Sequence, residues 1–235
     1  MPWKRGRGDK GRLRLVVDAE SSPLLCPTLG VHGEPHYMLF DTETAEVVTQ
    51  VAAGQPPSLY TLIALSWQVL SREGNCLSEE CHIVRQEGSI VAPDATEIHG
   101  ITTEEMQRGE VPQVVLDRWI AAVEGCSVVV AHNLVFHLGV LEGQMTRLKR
   151  GYLPLGDKTL LCTMLWGERM GCKRGVMGAR VYPSLVELFS YLHYGHLGAS
   201  VRYRSKSLRD VRLLSACMRQ YIRSANTLKV RGVYD

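Results

Sequence analysis

The segment Ser127-Val128-Val129-Val130-Ala131 constrains the fold of this chain more than any other. A strand with one wet face alternates apolar and polar side chains. A continuous apolar run offers water nothing on either side and marks a strand buried on both faces. His132 and Asn133 close the run, and residues 135–149 then carry helical spacing. Polar residues at the C-terminal end of a buried strand usually mark a site.

The neighbouring segments supply the other parts of an α/β fold. Residues 37–40 form a short apolar run leading into Asp41, which predicts a first strand. Residues 59–70 predict a second, with Leu62, Ala64, Ser66 and Gln68 alternating against its other face, and residues 81–85 a third. Residues 86–102 read as a loop, because Gly88, Pro93 and Gly100 punctuate them. Thr102 followed by Glu104 and Glu105 reads as an N-cap with acids in the first turn, so a helix begins there. Further helices are expected over residues 114–123, 184–194 and 207–225, with a short strand and turn at 160–166 and a loop at 167–178. The order predicts a mixed central sheet flanked by helices. The expected organisation is one domain at residues 37–226, a basic N-terminal extension at 1–36 and a tail at 227–235.

Charge is distributed unevenly. The chain is +3 in total, but residues 1–14 carry +5, residues 15–145 carry −14 and residues 146–235 carry +12. An acidic half followed by a basic half fits a metal-binding region joined to a polyanion-binding surface. It equally fits two halves that complement one another, or a partner of matching charge. The basic arm is expected to lie against RNA or a partner protein. Seven cysteines, odd in number, widely scattered and without a C-x-x-C pair, point to reduced thiols in an intracellular protein rather than to a disulfide frame or a zinc site. No run of 18 apolar residues predicts a membrane span, and no apolar core follows the basic N-terminus as in a secretory signal.

The chemistry is carried by four segments. In Phe40-Asp41-Thr42-Glu43-Thr44, two carboxylates two positions apart on a strand project to one face, where they can share a divalent ion. Ile98-His99-Gly100-Ile101-Thr102 is a glycine turn before a helix. His132-Asn133-Leu134-Val135-Phe136 follows the buried strand. Leu208-Arg209-Asp210 opens the last helix and is expected to expose Asp210. Taken singly, the first reads equally as a solvated strand end and the second as only a loop.

Taken in order, F-D-T-E-T, I-H-G-I-T, A-H-N-x-x-F, C-T-M-L, L-x-E-L and S-L-x-D resemble the DEDD 3′–5′ exonucleases, in the subfamily with a histidine base, over residues 37–225. The resemblance implies a ribonuclease H-like fold and removal of nucleotides from DNA or RNA 3′ ends with magnesium or manganese. It implies that Asp41, Glu43 and Asp210 hold metal, and that Thr42, Thr44 and Ala45 line the terminal nucleotide. His99, Gly100 and Ile101 would sit beside its base, and His132, Asn133 and Phe136 would shape the back of the pocket.

Two positions depart from that pattern. The third acid is replaced by His137, and the general base by Ser205. An imidazole lacks the charge a hard magnesium ion favours, although softer metals accept it. A serine hydroxyl is no base near neutral pH, and losing a general base typically costs about 10²- to 10⁴-fold in rate. His193 and His196 are candidates for a replacement base, against the plainer reading of packing or surface residues. Two functions follow as expectations. One is an exonuclease-like nucleic-acid-binding protein with a degenerate site, serving as an impaired subunit of a larger complex. The other is an active metal-dependent exonuclease with an unusual third ligand.

Overall fold

The computed structural model describes residues 6–7, 13–18, 33–47, 56–196, 199–202 and 206–231. In chain order the strands are β1 (Gly6–Arg7), β2 (Leu13–Asp18), β3 (Pro35–Thr44), β4 (Leu62–Ser71), β5 (Cys76–Ile83), β6 (Val128–Ala131), β7 (Thr159–Cys162) and β8 (Ala199–Arg202). The helices are α1 (Pro93–His99), α2 (Thr103–Gln107), α3 (Pro112–Glu124), α4 (Leu134–Arg147), α5 (Thr163–Arg169), α6 (Leu185–Tyr194) and α7 (Lys206–Arg231).

The main sheet runs β5-β4-β3-β6-β7. β3, β4 and β5 are antiparallel neighbours, and β6 and β7 continue parallel to β3, so the sheet is mixed as the sequence predicts. β3 and the valine strand β6 lie side by side, and helices cover both faces. Along β3 the period of two sorts the side chains. Met38 and Phe40 enter one core with Trp119 of α3 and Val140 and Leu141 of α4. Leu39, on the alternate face, enters a second core with Phe189 of α6 and Leu213, Leu214 and Cys217 of α7. A third, smaller core gathers Ala45, Ile63, Ala95, Ile101 and Met106 at the end of β3.

Several expected boundaries shift. The third strand starts at Cys76, not 81. It is an edge strand, and charged side chains such as Glu79 and Glu80 are common there. The segment expected as loop contains α1, because Pro93 stands at its first turn and Gly100, at φ 82°, is its left-handed C-cap. Those residues punctuate helix ends as well as loops. The expected turn after residue 162 is helix α5. Its Gly167 admits Pro183 so closely that an added Cβ would lie 2.7 Å from that ring. The last helix, expected over 207–225, runs on to Arg231. Within the N-terminal extension, β2 pairs antiparallel with β1 and parallel with β8, forming a second, three-stranded sheet. This described part of the arm therefore lies against the chain's own β8. Among the described residues, no helix is long and apolar enough to cross a membrane.

Candidate active site

The site forms where β3 ends. Asp41 and Glu43 share the face of β3 that carries Leu39, which is the face α7 covers, and α7 brings Asp210 to them. One oxygen from each of Asp41, Glu43 and Asp210 lies within 4.8 Å of the others, the arrangement that can hold a metal ion. A register shift between Glu43 and Thr44 in the pairing with β4 falls directly after the second acid. Such bulges re-aim side chains beside sites. α7 is pinned to the sheet by Arg212, whose Nε and Nη2 donate to Glu79 of β5 at 2.8 and 2.6 Å. Asp210 is half-buried rather than exposed, and the last turn of sequence before α7, which contains Ser205, lies outside the described residues.

Burial raises the pKa of Asp41 well above the usual carboxylate range. The like charges of Glu43 and Asp210 push the same way, and Arg209 opposes them. Three carboxylates so placed repel one another unless a cation joins them. Oxygen donors of this number and spacing fit a hard divalent cation.

His137 comes from the opposite layer. It lies on α4, which packs on the Phe40 face of β3, and reaches across the strand end to the acids. Its Nδ1 accepts from the Thr42 backbone N–H at 3.2 Å and faces Thr42 Oγ1 at 2.8 Å. Its Nε2 is 2.9 Å from the His132 carbonyl and 3.4 Å from Asp41 Oδ1. A backbone N–H only donates and a carbonyl only accepts, so the lone pair is on Nδ1 and the proton on Nε2. Burial lowers the His137 pKa to about 4, which keeps the ring neutral. Both nitrogens are therefore occupied, and no lone pair points at the acids.

The remaining expected residues fall around this centre. Thr42 is engaged with His137, and Thr44 Oγ1 donates to the Glu46 carbonyl at 2.8 Å. Ala45 and Ile101 meet in the third core. His99 is buried, its Nδ1 accepting from the Ile101 N–H at 3.0 Å, and an added Cβ at Gly100 would meet nothing within 4 Å. His132 bridges the end of β6 to the segment before α6, with Nε2 donating to the Pro183 carbonyl at 2.9 Å and Nδ1 facing Thr163 Oγ1 at 3.1 Å. Asn133 makes the sharp turn into α4 at φ 71°, a left-handed conformation that asparagine tolerates better than most residues. Phe136 packs edge-to-face on Tyr60 and on His137. His193 is not brought to the acids: its ring lies tilted against Phe189 and hydrogen-bonds the Ala216 backbone, about two turns along α7 from Asp210.

Sequence reasoning passed over Arg209. Its Nε and Nη2 donate to the two oxygens of Asp210 at 2.7 and 3.1 Å. Burial works against its charge, but the Asp210 hydrogen bonds and the nearby Glu43 and Asp41 outweigh that and raise its pKa. A permanent cation next to the last acid in sequence was the available signal.

Solved structures of exonuclease I share this architecture. Apo exonuclease I superposes with a TM-score of 0.60 at 14% identity, covering 86% of this chain and 47% of that one. The fold is that of exonuclease I. A product-bound exonuclease I matches at TM-score 0.62 and 15% identity over 86% of this chain and 49% of that one. Escherichia coli exonuclease I with a dA16 oligonucleotide matches at 0.62 and 14% over 82% and 42%. The chain thus spans about half the length of the exonuclease I structures it matches. No family model matches the sequence, and no curated protein matches it significantly.

Proposed function

We propose that this chain binds nucleic-acid 3′ ends in an exonuclease-type cleft and cleaves them slowly or not at all, serving as a binding subunit beside a catalytic or scaffolding partner. The exonuclease I-like fold and the clustered Asp41, Glu43 and Asp210 support the cleft. The observation that carries the impairment is His137, whose two ring nitrogens are taken by Thr42 and His132. A neutral, fully bonded imidazole gives a cation neither charge nor lone pair. In this reading Asp41, Glu43 and Asp210 would hold magnesium or manganese, which supplies positive charge to the scissile phosphate. Ser205 stands where the resembled family has its base, and a hydroxyl takes up no proton near neutral pH. The basic residues of 146–235 supply phosphate contacts.

The alternative, an active exonuclease, is favoured by the retained three-carboxylate cluster. One experiment separates the readings. Single-stranded DNA and RNA are tested for binding by fluorescence anisotropy and for cleavage with magnesium and with manganese. The wild type is compared with Asp41→Ala and with the pair His137→Asp and Ser205→His. The proposal expects binding by the wild type and cleavage that rises about 10²-fold or more in the restored pair. Robust wild-type cleavage abolished by Asp41→Ala would establish the active enzyme. Absence of binding to every 3′-ended strand refutes both readings.

A further inference from the structure

We propose that the loop between α5 and α6 is a platform for single-stranded nucleic acid, holding the strand upstream of its 3′ end. This rests on the reading of the carboxylate cleft as a 3′-end site. Residues 169–183 carry Arg169, Lys173, Arg174 and Arg180 and no acid. Three of their large side chains nonetheless stand in water: Val176 is 88% exposed, Met177 94% and Tyr182 58%. The loop has a defined shape. Arg174 and Arg180 face each other in an antiparallel bridge, and the Gly175 N–H donates to the Ala179 carbonyl at 2.7 Å, closing a small hairpin. Met177 stands at its tip at φ 57°, a left-handed conformation that residues with side chains seldom adopt.

The root of the hairpin is tied down, and one tie leads to the cleft. Lys173 Nζ pairs with Glu187 of α6 at 2.9 Å. The Pro183 carbonyl accepts from His132 Nε2 at 2.9 Å, and the His132 carbonyl accepts from His137 Nε2 at 2.9 Å. That last nitrogen lies 3.4 Å from Asp41 Oδ1. Tyr182 is thus one residue from a chain of contacts that ends at the first acid. Beside it, Glu168, Arg180, Val181 and Tyr182 line an open cavity of about 310 Å³, at the small end of the range for ligand pockets. The lining combines groups that hold a nucleotide. An aromatic ring stacks on a base, a guanidinium meets phosphate, and a carboxylate accepts from a base amino group. Among the described residues, Tyr182 packs on no other ring and Arg180 makes no ion pair. An apolar tip among arginines would also suit an anionic membrane, but the tie to the cleft favours the strand.

The test uses the whole chain and single strands of about 12 nucleotides, carrying a photoreactive thiobase at successive positions from the 3′ end. Crosslinks to residues 173–182 are expected from interior positions and not from the terminal one. By anisotropy, Tyr182→Ala should weaken binding about tenfold, and Tyr182→Phe, which keeps the ring, should bind as the wild type does. Arg180→Gln should lower the salt dependence of binding by about one phosphate contact. Both side chains are exposed, so melting temperatures should stay at the wild-type value. Wild-type affinity in Tyr182→Ala, or no crosslink to the loop from any position, overturns the platform and leaves the cleft reading standing. Crosslinks from every position alike, and from a circular strand without ends, sink the 3′-end reading while upholding strand binding by the loop. A wild type that binds no strand refutes both, and its sedimentation with phosphatidylserine vesicles would assign the loop to a membrane instead.

Discussion

Replacing Gly143 by alanine is a sharp test of how α4 is held, because helix propensity and packing predict opposite signs. Gly143 lies inside α4. By propensity alone, glycine to alanine in a helix interior stabilises by about 1 kcal/mol. In this fold, however, the added Cβ would lie 2.1 Å from the carbonyl oxygen of Ser58, 2.7 Å from its carbon and 2.8 Å from its Cα. These are backbone atoms of the turn at Pro57–Leu59, which cannot rotate aside. Gly139, one turn earlier, meets Pro57 at 2.6 Å. The two glycines therefore form the seat on which that turn rests. Overpacking of this kind costs about 1–3 kcal/mol, and a methyl driven into a carbonyl belongs at the upper end. Net destabilisation of about 1–2 kcal/mol follows after the propensity gain. For a chain of this size that lowers the melting temperature by about 2–8 °C. Thermal and urea unfolding measure it, with Gly151→Ala, whose Cβ meets nothing within 4 Å, as the neutral control. A Gly143→Ala variant as stable as the wild type, or more so, would refute the close seating of α4. The stake is functional, since the same helix carries His137 to Thr42.

The pair that pins α7 is partly buried, and Glu79 also accepts from Gln68 Nε2: Glu79→Ala is expected to cost about 1–3 kcal/mol, and Glu79→Met with Arg212→Leu to recover part of that, as measured by urea unfolding. Burial lowers the folded-state pKa of His193 below its unfolded value near 6.5. Below that pH the unfolded chain binds more protons than the folded one, so stability drains away as pH falls from about 6.5. His193→Phe, whose ring suits the contact with Phe189, should make that part of the stability curve shallower between pH 7.5 and 5.5, the buried His132 and His137 keeping the rest of the slope, and parallel curves for the two proteins would contradict it.

How much of this was legible in the sequence depended on the range of the cause. The valine strand and the Asp41/Glu43 pair were readable because strand period and carboxylate spacing are local. Helix α1 was not, since Pro93 and Gly100 terminate helices and loops alike, and only its contacts with the third core separate the two. The state of His137 was illegible for a different reason. Its tautomer is set by Thr42, 95 residues away in sequence, and by a carbonyl five residues earlier. Sequence showed that an acid was replaced, but not that the replacement is fully bonded. Arg209 was visible as a cation next to Asp210, but ordinary helix geometry sends neighbours apart, so the two-oxygen contact between them was not.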